Sequence, residues 1–294
     1  SGDLARLAHM SLVLLGEGEV LDGDDLVDGE TALVQAGLNP LELEPKEGLA
    51  LINGTQLTTG LAALFVVDAD RVLEAADAAG ALTTEVTMGT TASCDAAIQA
   101  VRPHDGQRAT AERIKRLTAG SEIVESHRNC DRVQDAYSVR CIPQVHGAVR
   151  DAVSHLRSAV ETELNSATDN PLVFPTDRVD SRSSGGKSAA VLSGGNFHGE
   201  PLALRLDYAV DALTELATIS ERRTNRMLDP NLQEDNLTPY LANDPGLESG
   251  FMIAQYTTAS LVNELRSLGS PSTDNTPVSG GQEDHVSMGG QCAL

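Results

Sequence analysis

Apolar residues recur every three or four positions through most of this chain. Leu4, Leu7, Ala8, Ser11, Leu12 and Leu15 set one helical face at the start, with Asp3 placed to cap it. The acidic run through Asp22, Asp24, Asp25 and Asp28 then predicts a solvated loop. Pro40 and Pro45 break the next segment, and Asn53-Gly54 predicts a turn. An Ala- and Leu-rich helix is expected over 57–79, with shorter ones over 92–100 and 107–118, separated by Pro103 to Gly106. The stretch 133–144 reads as irregular and ended by Pro143. Val149, Ala152, Val153, Leu156, Ala159, Val160 and Leu164 mark a strong helix over 146–164, stopped by Asn165 to Pro171. Residues 175–188 are polar and rich in Gly and Ser, hence a loop. Leu202, Leu206, Ala209, Leu213, Leu216 and Ser220 share one stripe of a helix running to about Met227. The last long helix is expected over 247–268, where Phe251, Ala254, Thr258, Leu261, Leu265 and Leu268 step like a bundle seam. The pattern predicts an all-α fold, a bundle of long helices with short irregular or β segments in loops. It predicts one helical domain over residues 1–294.

Composition narrows the partners. The chain has 294 residues, with 43 acidic against 21 basic side chains and a net charge of −22. Such a surface disfavours nucleic acid and anionic membranes. Only Lys46, Lys115 and Lys187 are lysines, and an acidic, lysine-poor chain suits high salt, where self-repulsion is screened. Cys94, Cys130, Cys141 and Cys292 form no C-x-x-C pair, which points to a reduced, cytoplasmic setting. No uninterrupted run of 18 apolar residues occurs, so no membrane span is expected. The seven histidines lack metal-ligand spacing, and no metal is expected.

Five strings carry the chemistry. They are Ser1-Gly2-Asp3-Leu4-Ala5-Arg6-Leu7-Ala8-His9, Lys46 to Gln56 around Asn53, Val133 to Gln144 around Tyr137, Ser193 to Pro201 around Phe197, and Gly281 to Gly289 around Glu283. In this order they resemble the histidine ammonia-lyases, within the aromatic amino acid ammonia-lyase family. Departures from the family pattern are Arg6 and Ala136, where Pro is usual, and Gly281, where Asn is usual.

The resemblance implies the following. The fold is a long-helix bundle of the ammonia-lyase and fumarase type. Ser1 and Gly2 belong to an Ala-Ser-Gly run that closes into the electrophilic group methylidene-imidazolone, with Asp3 assisting. The Ala would precede Ser1, so the chain reads as a central piece truncated at both ends relative to the family. By itself it is expected to be inactive, because the ring is incomplete and the family's base Tyr lies upstream. Asn53, Gln134, Arg140, Phe197 and Gln282 are the implied substrate-binding residues, Arg140 taking the carboxylate with its planar fork. Tyr137 would lie beside the reacting carbon. Glu283 would accept an imidazole N–H. A phenyl ring offers no such donor, and the phenylalanine-type relatives lack this Glu, so L-histidine is the implied substrate and urocanate the product. A homotetramer with sites shared between subunits is implied as well. Two alternatives stand beside this reading: another aromatic ammonia-lyase or aminomutase, or a helical assembly subunit without activity.

Overall fold

The computed structural model describes residues 4–128, 130–179, 189–273 and 283–294. It is overwhelmingly helical, as the periodicity predicts. In chain order the α-helices are α1 (Leu4–Leu12), α2 (Gly29–Gln35), α3 (Glu47–Ile52), α4 (Gln56–Val86), α5 (Ala96–Ala100), α6 (Asp105–Leu117), α7 (Glu122–Ser126), α8 (Tyr137–Arg140), α9 (Ile142–Glu163), α10 (Glu200–Leu228), α11 (Met252–Leu268) and α12 (Gly289–Ala293). Two small antiparallel pairs accompany them: β1 (Glu19–Asp22) with β2 (Asp25–Asp28), and β3 (Leu172–Pro175) with β4 (Ala189–Leu192).

The chain falls into two compact units. Unit one holds Ser1–Leu64, Ser158–Leu206 and Pro271–Leu294; unit two holds Phe65–Arg157 and Asp207–Ser270. In unit two, Ala69 and Leu73 of α4 meet Val149 and Val153 of α9 and Leu216 of α10 in a buried cluster, with Phe65, Ala76, Ala212 and Leu213 packed on it. A second cluster joins Ala81, Cys94, Ala111, Ile114 and Ile142. Burying one such aliphatic side chain contributes about 1.5–3 kcal/mol, so these seams decide where α4, α6 and α9 lie.

Several local expectations need correction. The acidic stretch after α1 is a hairpin, not a loop, with Val20 opposite Val27 and Asp22 opposite Asp25. Gly23, at φ 64°, supplies the left-handed turn residue that a two-residue connection needs. The charges are solvated, as expected, but sit at the strand ends and, for Asp24, in the turn. The helix expected over 57–79 extends from Gln56 to Val86. Pro143 does not end a segment; it sits in the first turn of α9, where its missing N–H has no helical partner to lose. The helix α7 was not foreseen; Ser121 caps it, its hydroxyl accepting from the Val124 amide at 3.3 Å. Finally, α11 starts at Met252 rather than 247, and its expected seam is open. Phe251, Leu261 and Leu268 are 62%, 52% and 73% exposed, while Val262 is buried.

The stretch Glu47–Val86 is long and apolar enough, by length and mean hydropathy, to meet the criterion for crossing a membrane. The absence of an unbroken apolar run therefore did not exclude such a segment. A central core helix meets the same criterion, and in α4 Leu73 and Asp77 are fully buried within unit two, Asp77 paired with Arg150.

Candidate active site

Asn53, Phe197 and Glu283 belong to unit one. Asn53 caps the C-terminus of α3, two residues before Thr55 leads into α4. Its Nδ2 donates to Asp169 Oδ1 and to the Asn170 carbonyl, both at 3.4 Å. Lys46 pairs with the other Asp169 oxygen. Burial pushes the Asp169 carboxyl up, but Lys46, the Asn170 amide and the Asn53 amide outweigh it and hold the group below the usual carboxylate range. Gly54 is required by contact: a Cβ there would lie 2.3 Å from the Thr168 carbonyl oxygen. Thr55 donates to Glu163 Oε1 at 2.6 Å, at the wall of a cavity of about 400 Å³ that Thr59, Thr168 and Asp169 also line.

The other loops of unit one are fastened to this corner. Asn170 Oδ1 accepts from the Gly194 amide at 2.7 Å and from the Ser193 hydroxyl at 3.2 Å. Asn196 donates to the Ala167 carbonyl at 3.2 Å. Half-buried Phe197 follows directly, three residues before α10. The next residue, His198, stacks on His285 with ring centroids 5.4 Å apart and planes within 4°. The Gly199 amide donates to Ser287 Oγ at 2.9 Å. The structure thus ties the strings around Asn53, Phe197 and Glu283 into one hydrogen-bonded set. Glu283 itself is exposed, on the segment that enters α12.

Gln134, Tyr137 and Arg140 belong to unit two; Tyr137 and Arg140 are the ends of the single turn α8, and Gln134 lies three residues before it. Arg140 Nη1 donates to Gln134 Oε1, and the guanidinium carbon lies 4.9 Å from the centre of the Tyr137 ring. Arg140 Nε is buried and has no hydrogen-bond partner among the described residues. Gln134 and Arg140 line a cavity of about 470 Å³ with Thr90, Ser93 and Gln144. Tyr137 is 73% exposed and edges another, of about 550 Å³, walled by Ile219, Arg222 and Arg226. The loop leading to α8 is anchored through Asp135, which accepts from the Thr90 amide at 2.8 Å and from Arg132 at 3.3 Å.

Ser1, Gly2, Asp3 and Gln282 lie outside the described residues. No group of three His, Cys, Asp or Glu side chains suited to a metal occurs among the described residues. Sequence reading missed a buried set beneath α8, formed by Asp77, His146 and Arg223. The available signal was an Asp in an otherwise Ala-rich apolar stretch of α4.

The family profile described as aromatic amino acid lyase matches residues 1–294. A probable histidine ammonia-lyase of Halobacterium salinarum is 68% identical over 98% of this chain and 55% of its own length. The histidine ammonia-lyase of Koribacter versatilis is 52% identical over the whole chain and 57% of its own. Among solved structures, the histidine ammonia-lyase of Trypanosoma cruzi superposes with a TM-score of 0.83 at 42% identity, covering 99% of this chain and 53% of that one. A tyrosine aminomutase of Streptomyces globisporus superposes at 0.86 with 40% identity, covering 99% and 57%. The chain spans about half the length of the curated relatives it matches.

Proposed function

We propose, for a chain that belongs to the aromatic amino acid lyase family, that it acts as a histidine ammonia-lyase, converting L-histidine to urocanate and ammonia. The reaction breaks the Cα–N bond and one Cβ–H bond and forms a carbon–carbon double bond, with no net change of oxidation state. The observation that carries the reading is Arg140: a guanidinium oriented by Gln134, laid on an aromatic face, with a buried donor still unmet. A substrate carboxylate in the cavity that Arg140 lines would pair with this guanidinium, and charge-assisted pairs of this kind are the strong ones.

The choice of histidine rests on Glu283, whose carboxylate can accept an imidazole N–H. The relatives named above as histidine ammonia-lyases accord with it. Asn53 and Phe197, tied to the Glu283 segment, would border the same substrate, and Tyr137 would flank the reacting carbon. Gln282 would border the substrate beside Glu283.

The group the family uses is methylidene-imidazolone, closed from Ala-Ser-Gly. Ser1 and Gly2 are of the required types, and α1 begins at Leu4, so its first amides have no partner within the helix and are suited to an acceptor. When formed, that group supplies an electrophile that draws electrons from the substrate. Asp3 would assist its closure. A homotetramer in a salt-rich cytoplasm completes the proposal: the open apolar stripe of α11 suits contact with further copies, and the free cysteines suit a reducing compartment.

The test is urocanate release from L-histidine by the intact protein. Replacing Glu283 with Gln is expected to lower kcat/KM for histidine about 10- to 100-fold. Faster turnover of tyrosine or phenylalanine would favour the aminomutase or aromatic ammonia-lyase reading instead. An intact mass that lacks the loss of two waters would favour the inactive assembly subunit.

A further inference from the structure

The turn that carries Tyr137 and Arg140 rests on buried charged and polar groups. The side chains of Asp77 on α4 and His146 on α9 are fully buried, and Arg223 on α10 is 2% exposed. His146 Nδ1 lies 2.8 Å from Asp77 Oδ1, and its Nε2 lies 3.2 Å from Arg223 Nη1. A guanidinium can only donate. His146 Nε2 is therefore the acceptor, and the ring keeps its proton on Nδ1, donated to Asp77. The same Arg223 Nη1 lies 3.4 Å from the Ser138 carbonyl oxygen, within α8. Around this chain, Arg150 donates to Asp77 Oδ2 at 2.7 Å, Arg113 lies 3.5 Å from that oxygen, and Glu74 lies 3.8 Å from Arg113.

An isolated helical turn of four residues does not hold its shape unaided. The inward anchors of α8 are the buried Val139 side chain and the Ser138 carbonyl. Burying a guanidinium is costly, and Met or Leu would fill comparable space without that cost. Arg223 Nη2 is also buried with no partner among the described residues, so packing alone gives little reason for an Arg here. What an Arg adds is a donor that reaches His146 and the Ser138 carbonyl at once.

We propose that Arg223, seated on His146 and Asp77, is a positioning residue that fixes the Tyr137–Arg140 turn and so aims Arg140 at the substrate carboxylate. This rests on the function proposed above. The chain acts through backbone, not through contact with substrate, so its signature is selective. It governs ligands that bear a carboxylate and spares those that do not.

The test uses the intact protein as wild type, Arg223→Met, Arg223→Lys and His146→Asn. Inhibition constants are measured for imidazolepropionate, which has the carboxylate, and histamine, which lacks it, beside kcat and KM for histidine. Arg223→Met is expected to weaken imidazolepropionate about tenfold while histamine moves less than about twofold. Arg223→Lys, able to hold one of the two acceptors, should recover part of that loss. Equal weakening of both ligands, or no weakening, would overturn the positioning role. If Arg223→Met does not fold, Arg223→Lys and His146→Asn carry the same test, with a selective loss of about threefold expected and its absence counting against the proposal. The two failures are distinguishable: a wild type that does not turn over histidine sinks the proposed function, whereas turnover with unselective variants sinks the positioning role alone.

Discussion

The two sets of candidate residues are held in opposite ways. In unit one, Asn53, Phe197 and the Glu283 segment are sewn together by hydrogen bonds to backbone and amides, half in solvent. In unit two, Tyr137 and Arg140, with Gln134 bonded to Arg140, ride on a turn above fully buried charge. The difference teaches where each region is vulnerable. A loop corner fails when its backbone is forced apart, whereas a turn on a buried ionic post fails when the post loses or gains a charge.

The largest effect should come from the post. Asp77 accepts from His146 and Arg150 and faces Arg113, all with its side chain fully buried. Asp77→Ala leaves those donors unpaired and is expected to cost about 3–5 kcal/mol. Urea unfolding measures it. A loss under about 1 kcal/mol would mean that the buried post carries no stability.

Next comes the corner. Gly54→Ala drives a methyl group onto the Thr168 carbonyl at 2.3 Å, and the backbone must yield. The expected cost is about 1–3 kcal/mol. Because Asn53 is the neighbouring residue, histidine turnover should fall together with the urea midpoint. A stable variant with normal turnover would mean that the corner is softer than its contacts suggest.

How much of this was legible follows from the same contrast. The stripe Val149, Ala152, Val153 and Leu156 predicted α9, and all four are buried. Phe251, which caps α11, and Leu261 and Leu268 within it follow a helical spacing too and stand exposed. Periodicity reports which residues share a face, not what covers that face. The hairpin was hidden because its charges sit at strand ends and in the turn, although Gly23-Asp24 between Val20-Leu21 and Leu26-Val27 is a hairpin signal. Asn53, Phe197 and Glu283 were named from whole strings, through resemblance. Spacing alone offered a turn, a core aromatic and a solvated cluster. Asp77, His146 and Arg223 were illegible for another reason. They stand 69 and 77 positions apart, and a lone Asp or His in a helix reads as ordinary until the fold brings them together.

A graded effect of pH should separate the regions further. Burial, with Arg223 and Arg150 nearby, holds His146 below its ordinary value of 6.5, despite its bond to Asp77. A folded value below the unfolded one means that the unfolded chain binds more protons as pH falls. The contribution of His146 is then present above about 6.5 and lost on acidification below it. Asp169 in unit one, lowered from 3.8, keeps its contribution down to about that pH and loses it only below. Urea midpoints of wild type, His146→Gln and Asp169→Asn against pH resolve the two windows. Stability that rises between pH 6.5 and 5.5 on account of His146 would reverse the assigned sign.

The smallest effect sharpens the contrast most, because it holds the chemistry constant. Asp68 and Asp77 lie on the same helix, nine residues apart, which at about 100° per residue turns them to opposite faces. Both pair with arginine: Asp68 with Arg71 at 2.8 Å, Asp77 with Arg150 at 2.7 Å. The distances match, but Arg71 and Asp68 are 76% and 70% exposed, while Asp77 is fully buried. An exposed pair exchanges hydration for a contact of similar worth, so Arg71→Gln is expected to shift stability by no more than about 0.5 kcal/mol, and less in high salt. Burial, rather than the presence of an Asp–Arg pair on α4, would then account for the effect of Asp77. A loss at Arg71 as large as that at Asp77 would show that the pairs are equivalent and that the buried post is nothing special.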